Sequence, residues 1–290
     1  MEPSHEVMQR AGEFIWQNAR LLDRRVFAFF FAGAPREAII DAVRAYQNPD
    51  GGFGNALEPD IRCPDSQPVA SVLALEALVC AGGDEVTTRR LCDYLLTVST
   101  PEGGVPCILP SVMRYPRAPW WNAAANPPAG INPTADLAGL LYQLGCSHRW
   151  LDRAAQYCWE QIEGTTFTAP HDFLSIIRFL ENTPEHDRAV KALEAIADQM
   201  LAAKVIEFDP CATGYMKGPL DWAPSPKGLC RRLFTDEMMA LHLDALLARQ
   251  QADGGWPLNW PTLSPANEME WRGHVTVAAL SVLTAYHKLP

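Results

Sequence analysis

The chain has no apolar run long enough to cross a bilayer. Its most apolar early stretch, VFAFFFAGA from Val26 to Ala34, is well short of the ~20 residues a membrane helix needs, and reads as a buried helix segment or a hairpin turn. The stretch MEPSHEVMQRAGEF is charged and polar where a secretory leader carries an apolar core, so no signal peptide is expected. No lysine- and arginine-rich run occurs either, and the formal net charge is −10. A surface of that sign repels phosphate backbones and anionic headgroups. It argues against nucleic acid as a partner and against a basic membrane-binding face. Cysteine is present but never as C-x-x-C. Cys63, Cys80, Cys92, Cys107, Cys146, Cys158, Cys211 and Cys230 are spread through the chain, as expected of reduced thiols, several in the core, in a cytoplasmic protein. β-Strand signals are nearly absent.

What is present is helical. The chain has 290 residues, 48% of them hydrophobic and 20% charged, enough apolar material for a sizeable core. Three Gly-Gly turns punctuate it: QNPDGGFG, STPEGGVP and QQADGGWP. Gly51 and Gly103 stand 52 residues apart and Gly254 a further 151, close to three periods of 50. Self-similarity at that spacing marks a repeat fold, with the two missing copies near residues 154 and 204. An amphipathic helix precedes each turn, with faces Ile39, Ile40, Val43 and Tyr46; Leu91, Tyr94, Leu95 and Val98; and Met238, Leu241, Leu243, Leu246 and Leu247. A second, more apolar helix belongs to each unit: PVASVLALEALVCAGG, TADLAGLLYQLG, HDFLSIIRFLEN, TDEMMALHLDALLARQ and HVTVAALSVLTAYHKL. Helices apolar on nearly all sides are covered on both sides. The expected fold is all-α: an α/α toroid of about five to six helical hairpins, as one domain over residues 1–290. Long Pro- and Gly-rich loops at 103–133 and 205–230 carry Tyr115, Trp120, Trp121, Tyr215 and Trp222, and read as binding loops.

The turns carry a resemblance. Gln47 to Phe53 reads Q-x-x-x-G-x-F, Gln250 to Trp256 reads Q-x-x-x-G-x-W, and Ser99 to Val105 is a weaker S-x-x-x-G-x-V. These look like the QW repeats of the terpenoid cyclase and protein prenyltransferase superfamily. The resemblance implies an α/α toroid whose central cavity binds an isoprenoid chain. It gives Gln47, Phe53, Gln250 and Trp256 structural roles, the glutamine capping helix ends and the aromatic stacking on a neighbour. It departs at the chemistry. The D-x-D-D acid motif of class II cyclases is absent, and CPDSQPVA or NPTADLAG stands at the matching hairpin position. The zinc site of prenyltransferases has counterparts in Asp209, Cys211 and His274, which would leave one coordination position open. Zinc is therefore the alternative to a protein without a cofactor. No diphosphate-binding Mg²⁺ motif is visible, so protonation is expected over ionisation.

Polar residues cluster where the apolar helices are expected to start: Asp65, Ser66 and Gln67; Asn132, Thr134 and Asp136; His171 and Asp172; Thr235, Asp236 and Glu237; Arg272 and His274. Capping accounts for residues such as Asp65, Thr134 and Thr235. It does not account for Glu58, Asp60, Arg62, Asp65 and Gln67 together, since a helix start needs one cap. Neighbouring carboxylates beside a cavity raise one another's pKa and hold a proton. The expected catalytic residues are Asp65, Glu58, Asp60, Asp136 and His274. Arg62, Gln67, Trp120, Trp121, Tyr215, Trp222, Asp236 and Glu237 are expected to contact a hydrophobic, isoprenoid substrate, the tryptophans facing cationic intermediates. Two other readings stand beside this one: a carbohydrate-active toroid using paired carboxylates, and a binding scaffold without catalysis. Nothing in the sequence sets an oligomeric state.

Overall fold

The computed structural model describes residues 3–289. Twelve α-helices order the described chain: α1 (Pro3–Asn18), α2 (Leu21–Phe31), α3 (Glu37–Arg44), α4 (Pro68–Cys80), α5 (Glu85–Val98), α6 (Ile131–Gln143), α7 (Arg149–Gly164), α8 (Pro170–Asn182), α9 (His186–Ala202), α10 (Pro219–Trp222), α11 (Asp236–Ala248) and α12 (Pro265–Ala285). Two 3₁₀ helices, Pro110–Arg114 and Leu229–Leu233, and isolated β-bridges accompany them among the described residues. No described helix is long and apolar enough to cross a membrane. The helices gather into two compact units, Pro35–Gln199, and Met1–Ala34 with Met200–Pro290.

In the Pro35–Gln199 unit, α4, α6 and α8 pack side by side with α6 in the middle, and α3, α5 and α7 lie against this row. Composition explains the arrangement. Helix α4 buries Ala70, Ala74, Leu75, Ala77 and Leu78, and α8 buries Phe173, Ile176, Ile177, Phe179 and Leu180. Each fully buried Leu or Phe contributes ~1.5–3 kcal/mol. Helices α4 and α8 begin on Pro68 and Pro170, where a missing N–H costs nothing. Gly139 decides how closely α6 and α8 approach. A Cβ there would sit 2.6 Å from the carbonyl oxygen of Arg178, so only glycine permits the contact.

In the other unit, α12 packs against α1, α2 and α11. Gly273 plays the same part, since an added Cβ would lie 2.5 Å from Cβ of Ala19, at the α1–α2 junction. Helix α12 begins a full two turns before the stretch expected from HVTVAALSVL. Ser264 accepts from the backbone N–H of Asn267 at 3.2 Å, and Pro265 takes the first helical position. Arg272 and His274 are thus mid-helix residues, not helix starts. Helix α11 stands before a Gly-Gly turn as expected, but with a different buried face: it buries Met239, His242 and Leu243, while Leu241, expected on the apolar face, is 60% exposed.

The three Gly-Gly turns share one geometry. Gly51, Gly103 and Gly254 have φ of 93°, 101° and 92°, and a Cβ on them would meet the carbonyl oxygens of Arg90, Arg153 and Arg10 at 2.2, 2.8 and 2.1 Å. Each arginine donates back to carbonyls of its turn: Arg90 to Asn48, Arg153 to Pro101 and Arg10 to Gln251. Four residues on, Tyr94, Tyr157 and Phe14 lie against the second glycine. Gln47 donates to the carbonyls of Gly51 and Thr87, and Gln250 to those of Gly254 and Val7. Ser99 does not copy them; it donates to Leu95 and accepts from the Trp150 indole. The copy expected near 154 falls inside α7, whereas near 204 the left-handed Lys204, φ 54°, ends α9.

Candidate functional site

Two clusters of titratable groups form, one in each unit. The first lies on the α4–α6–α8 row. Its centre is Arg178, whose guanidinium meets Glu76 on α4 at 2.7 Å and Asp136 on α6 at 3.2 Å. The close α6–α8 contact at Gly139, one turn from Asp136, brings the arginine there. Ser175, one turn before Arg178, donates its hydroxyl to Asp136. Burial raises the proton affinity of Asp136 above the usual carboxylate range. Arg178 and Ser175 pull the other way without cancelling it, and Glu76 adds to the rise. Burial works against the charge on Arg178, but Glu76 and Asp136 outweigh it and hold the guanidinium protonated. Beside this network the Cys107 thiol is pushed up to about 12, first by burial and then by the carboxylates of Glu58, Asp136 and Asp172. Burial also raises Asp172. Several acids therefore bear on one small region.

The second cluster lies in the other unit. Asp23 on α2 is 4% exposed and forms a close pair with Arg20, 2.8 Å from Nε to Oδ2. His274 on α12 places Nδ1 3.7 Å from the other carboxylate oxygen. Burial alone would raise Asp23; Arg20 and His274 overcome it and hold the carboxyl at about 2. A carboxylate-oriented imidazole can accept or deliver a proton from its other nitrogen. A row of edge-to-face rings runs from it: His274 to Trp271 at 5.7 Å, Trp271 to Trp260 at 5.5 Å, and Trp260 to Tyr215 at 6.0 Å.

No protein-family model matches the chain, and no curated protein matches it by sequence. Solved structures do match. A protein from Actinoplanes aligns with a TM-score of 0.59 at 17% identity, over 98% of this chain and 99% of that one. The type II terpene cyclase MstE from Scytonema, solved in complex with its substrate geranylgeranyl dihydroxybenzoate, aligns with a TM-score of 0.50 at 14% identity over 97% of both chains. The fold is an α/α toroid. At these identities the likeness establishes the fold alone.

Within that fold the expected site residues separate. Glu58 and Asp60 are buried, and the 103–133 loop is tied across them: Ala118 donates its N–H to the carbonyl of Asp60, and Arg62 donates its own to that of Pro116. Asp65 faces water, its side chain 44% exposed and paired with Arg114 at 2.8 Å. Gln67 is a staple, donating to the Ser111 hydroxyl at 2.9 Å and accepting the Leu109 N–H at 2.7 Å. Trp121 packs on the small core of Ile61, Cys63, Ile108 and Val112, while Trp120 is half exposed. Trp222 is 1% exposed and donates to the Lys217 carbonyl, so it fills the interior of its unit instead of offering a free face. Tyr215 is half exposed, at the end of the ring row. Asp236 pairs with Arg231 on the exposed start of α11, next to the exposed Glu237.

The zinc set does not assemble. Asp209 accepts the Cys211 N–H in an exposed turn, while His274 faces Asp23. Among the described residues no group of three His, Cys, Asp or Glu could hold a metal ion. Sequence reasoning also passed over Glu76, Arg178, Ser175, Cys107 and Asp23. The signal for two of them was visible: Glu76 and Arg178 are charges set into apolar helical runs, and a charge placed there needs a partner from another helix.

Proposed function

We propose that the protein is a terpenoid-cyclase-like enzyme that binds a hydrophobic isoprenoid and starts its reaction by protonation, with Asp136 as the acid. The observation that carries this reading is the Asp136 carboxyl, closed off from water at 14% side-chain exposure and raised in proton affinity by that burial. A neutral carboxylic acid can give its proton to an alkene carbon, leaving a tertiary carbocation that a second double bond of the same chain attacks. The anion left on Asp136 is then met by the Ser175 hydroxyl and the Arg178 guanidinium, already in place. Such preorganised groups stabilise charge as it develops. The Glu76 carboxylate favours the protonated acid, and a negative charge there suits a cationic intermediate as well.

The test is incubation with isoprenoid substrates, including geranylgeranyl-bearing aromatics, followed by product analysis. Cyclised product from the wild type and a loss of about 10²–10⁴-fold in Asp136→Asn support the reading. Neither turnover nor thermal stabilisation by any isoprenoid would sink it. One observation favours a second reading: Glu76 and Arg178 are about a third exposed, a polar surface suited to a hydroxyl-rich ligand. Hydrolysis of an oligosaccharide, lost in the same variant, would select the carbohydrate-active alternative. Thermal stabilisation without turnover would select a binding scaffold.

A further inference from the structure

Eight cysteines are free thiols, and two of them meet. The Sγ atoms of Cys92 and Cys146 are 3.9 Å apart. Cys92 is wholly buried on α5, between Leu91 and Tyr94. Cys146 is half-buried and follows Gly145, whose left-handed φ of 65° ends α6; its N–H donates to the Leu141 carbonyl at 2.9 Å. One thiol is therefore shielded and fixed in a helix, while the other is reachable and sits in a turn that can shift. We propose that Cys92 and Cys146 form a site of reversible disulfide formation, with Cys146 as the attacking thiol, Cys92 as the resolving thiol and a low-molecular-weight disulfide as the oxidant.

The chemistry balances without another reagent. The Cys146 thiolate attacks one sulfur of the small disulfide, the S–S bond breaks, and one small thiolate leaves. A mixed disulfide remains on Cys146. Cys92 then loses its proton and attacks the Cys146 sulfur, forming the protein disulfide and expelling the second small thiolate. Two protein thiols lose two electrons, and the small disulfide gains them as two thiols, which take up the two protons. The surroundings favour this order. The contact with the Cys92 sulfur and the charge of Arg89 lower the Cys146 thiol against the effect of burial. The bond to Cys146 and burial both push Cys92 up. The partly exposed thiol is the one a small disulfide can reach first, and the buried partner then attacks the mixed disulfide from inside. The 3.9 Å gap must close to a bond of about 2.05 Å, which draws the turn after α6 toward α5. The link would tie α5 to that turn across the whole 103–133 loop.

The test treats folded wild-type protein with oxidised glutathione and maps its peptides without reduction. The expected result is a Cys92–Cys146 cross-link, lighter by two hydrogens than the separate peptides and cleared by dithiothreitol. Cys146→Ser should leave Cys92 unmodified, and Cys92→Ala should trap glutathione on Cys146. Cys211 is exposed and reports the reach of the oxidant. If glutathione marks Cys211 while Cys92 and Cys146 remain free, the proposal fails. It also fails if wild-type Cys146 keeps its glutathione and never links to Cys92.

Discussion

Asp136 and Asp23 are both carboxylates shut away from water, yet their surroundings drive them in opposite directions. Asp23 is lowered to about 2 because Arg20 and His274 outweigh burial. Its folded value lies below the ordinary 3.8, so it adds stability above about pH 4 that is lost as pH falls through about 2. That contribution is ~2 kcal/mol. Asp23→Asn should therefore cost at least this much at neutral pH, with the gap to wild type closing between about pH 4 and pH 2 in denaturant titrations. Asp136 has the reverse sign. Its folded value is raised, so its ionised form weakens the fold above that value and the penalty is relieved as pH falls through it. Asp136→Asn should leave neutral-pH stability unchanged or higher while turnover falls. Thermal melts beside kinetics separate this outcome from simple unfolding.

At the scale of helices and turns, glycines decide which elements touch. Alanine is the better helix former by roughly 1 kcal/mol, so propensity alone says Gly139→Ala should stabilise α6. The 2.6 Å approach to the Arg178 carbonyl says otherwise. The substitution should instead cost about 1–3 kcal/mol by forcing α6 and α8 apart, and should weaken the Asp136–Arg178 pair with them. A similar contrast separates two turn glycines with positive φ. Gly33→Ala has nothing within 4 Å of its new Cβ and should cost only ~1–2 kcal/mol of backbone strain. Gly51→Ala adds a 2.2 Å clash with a backbone oxygen of α5 and should cost about 3 kcal/mol or more. Chemical denaturation of the three variants checks the order. The structural roles of Gln47 and Gln250 were implied by the resemblance of their turns to QW repeats, and both glutamines donate to carbonyls of those turns. The pairing of an arginine with an aromatic four residues on, as in Arg90 and Tyr94, was not legible, because these residues sit two helices further along the chain, on α5, and become partners only when that helix packs over the turn.

For the whole molecule, a ligand held by the native fold raises its stability by mass action. An isoprenoid at a hundred times its dissociation constant should add ~2.7 kcal/mol and lift the melting temperature by several degrees. Asp136→Asn should show the same lift, because it removes a proton and not an apolar wall. A lift abolished by that variant would place the carboxyl in binding rather than proton transfer. The all-α character and the toroid class were readable in the sequence, since helical period and turn chemistry are local. The acids were only partly readable. Asp136 stood out as a charge about one turn into an apolar helix, but Asp65 stood out equally and proved to be a surface ion pair with Arg114.

The sequence by itself determined the helical class and the Gly-Gly turns, because those follow from side-chain periodicity and glycine φ within a few residues, while it missed the early start of α12. Only the tertiary structure decided which charges meet. Glu76, Asp136 and Arg178 lie on three helices far apart in the chain, and their pairing depends on the register at which α4, α6 and α8 pack. Proton affinity follows from that pairing and from burial, and neither is a property of a residue alone.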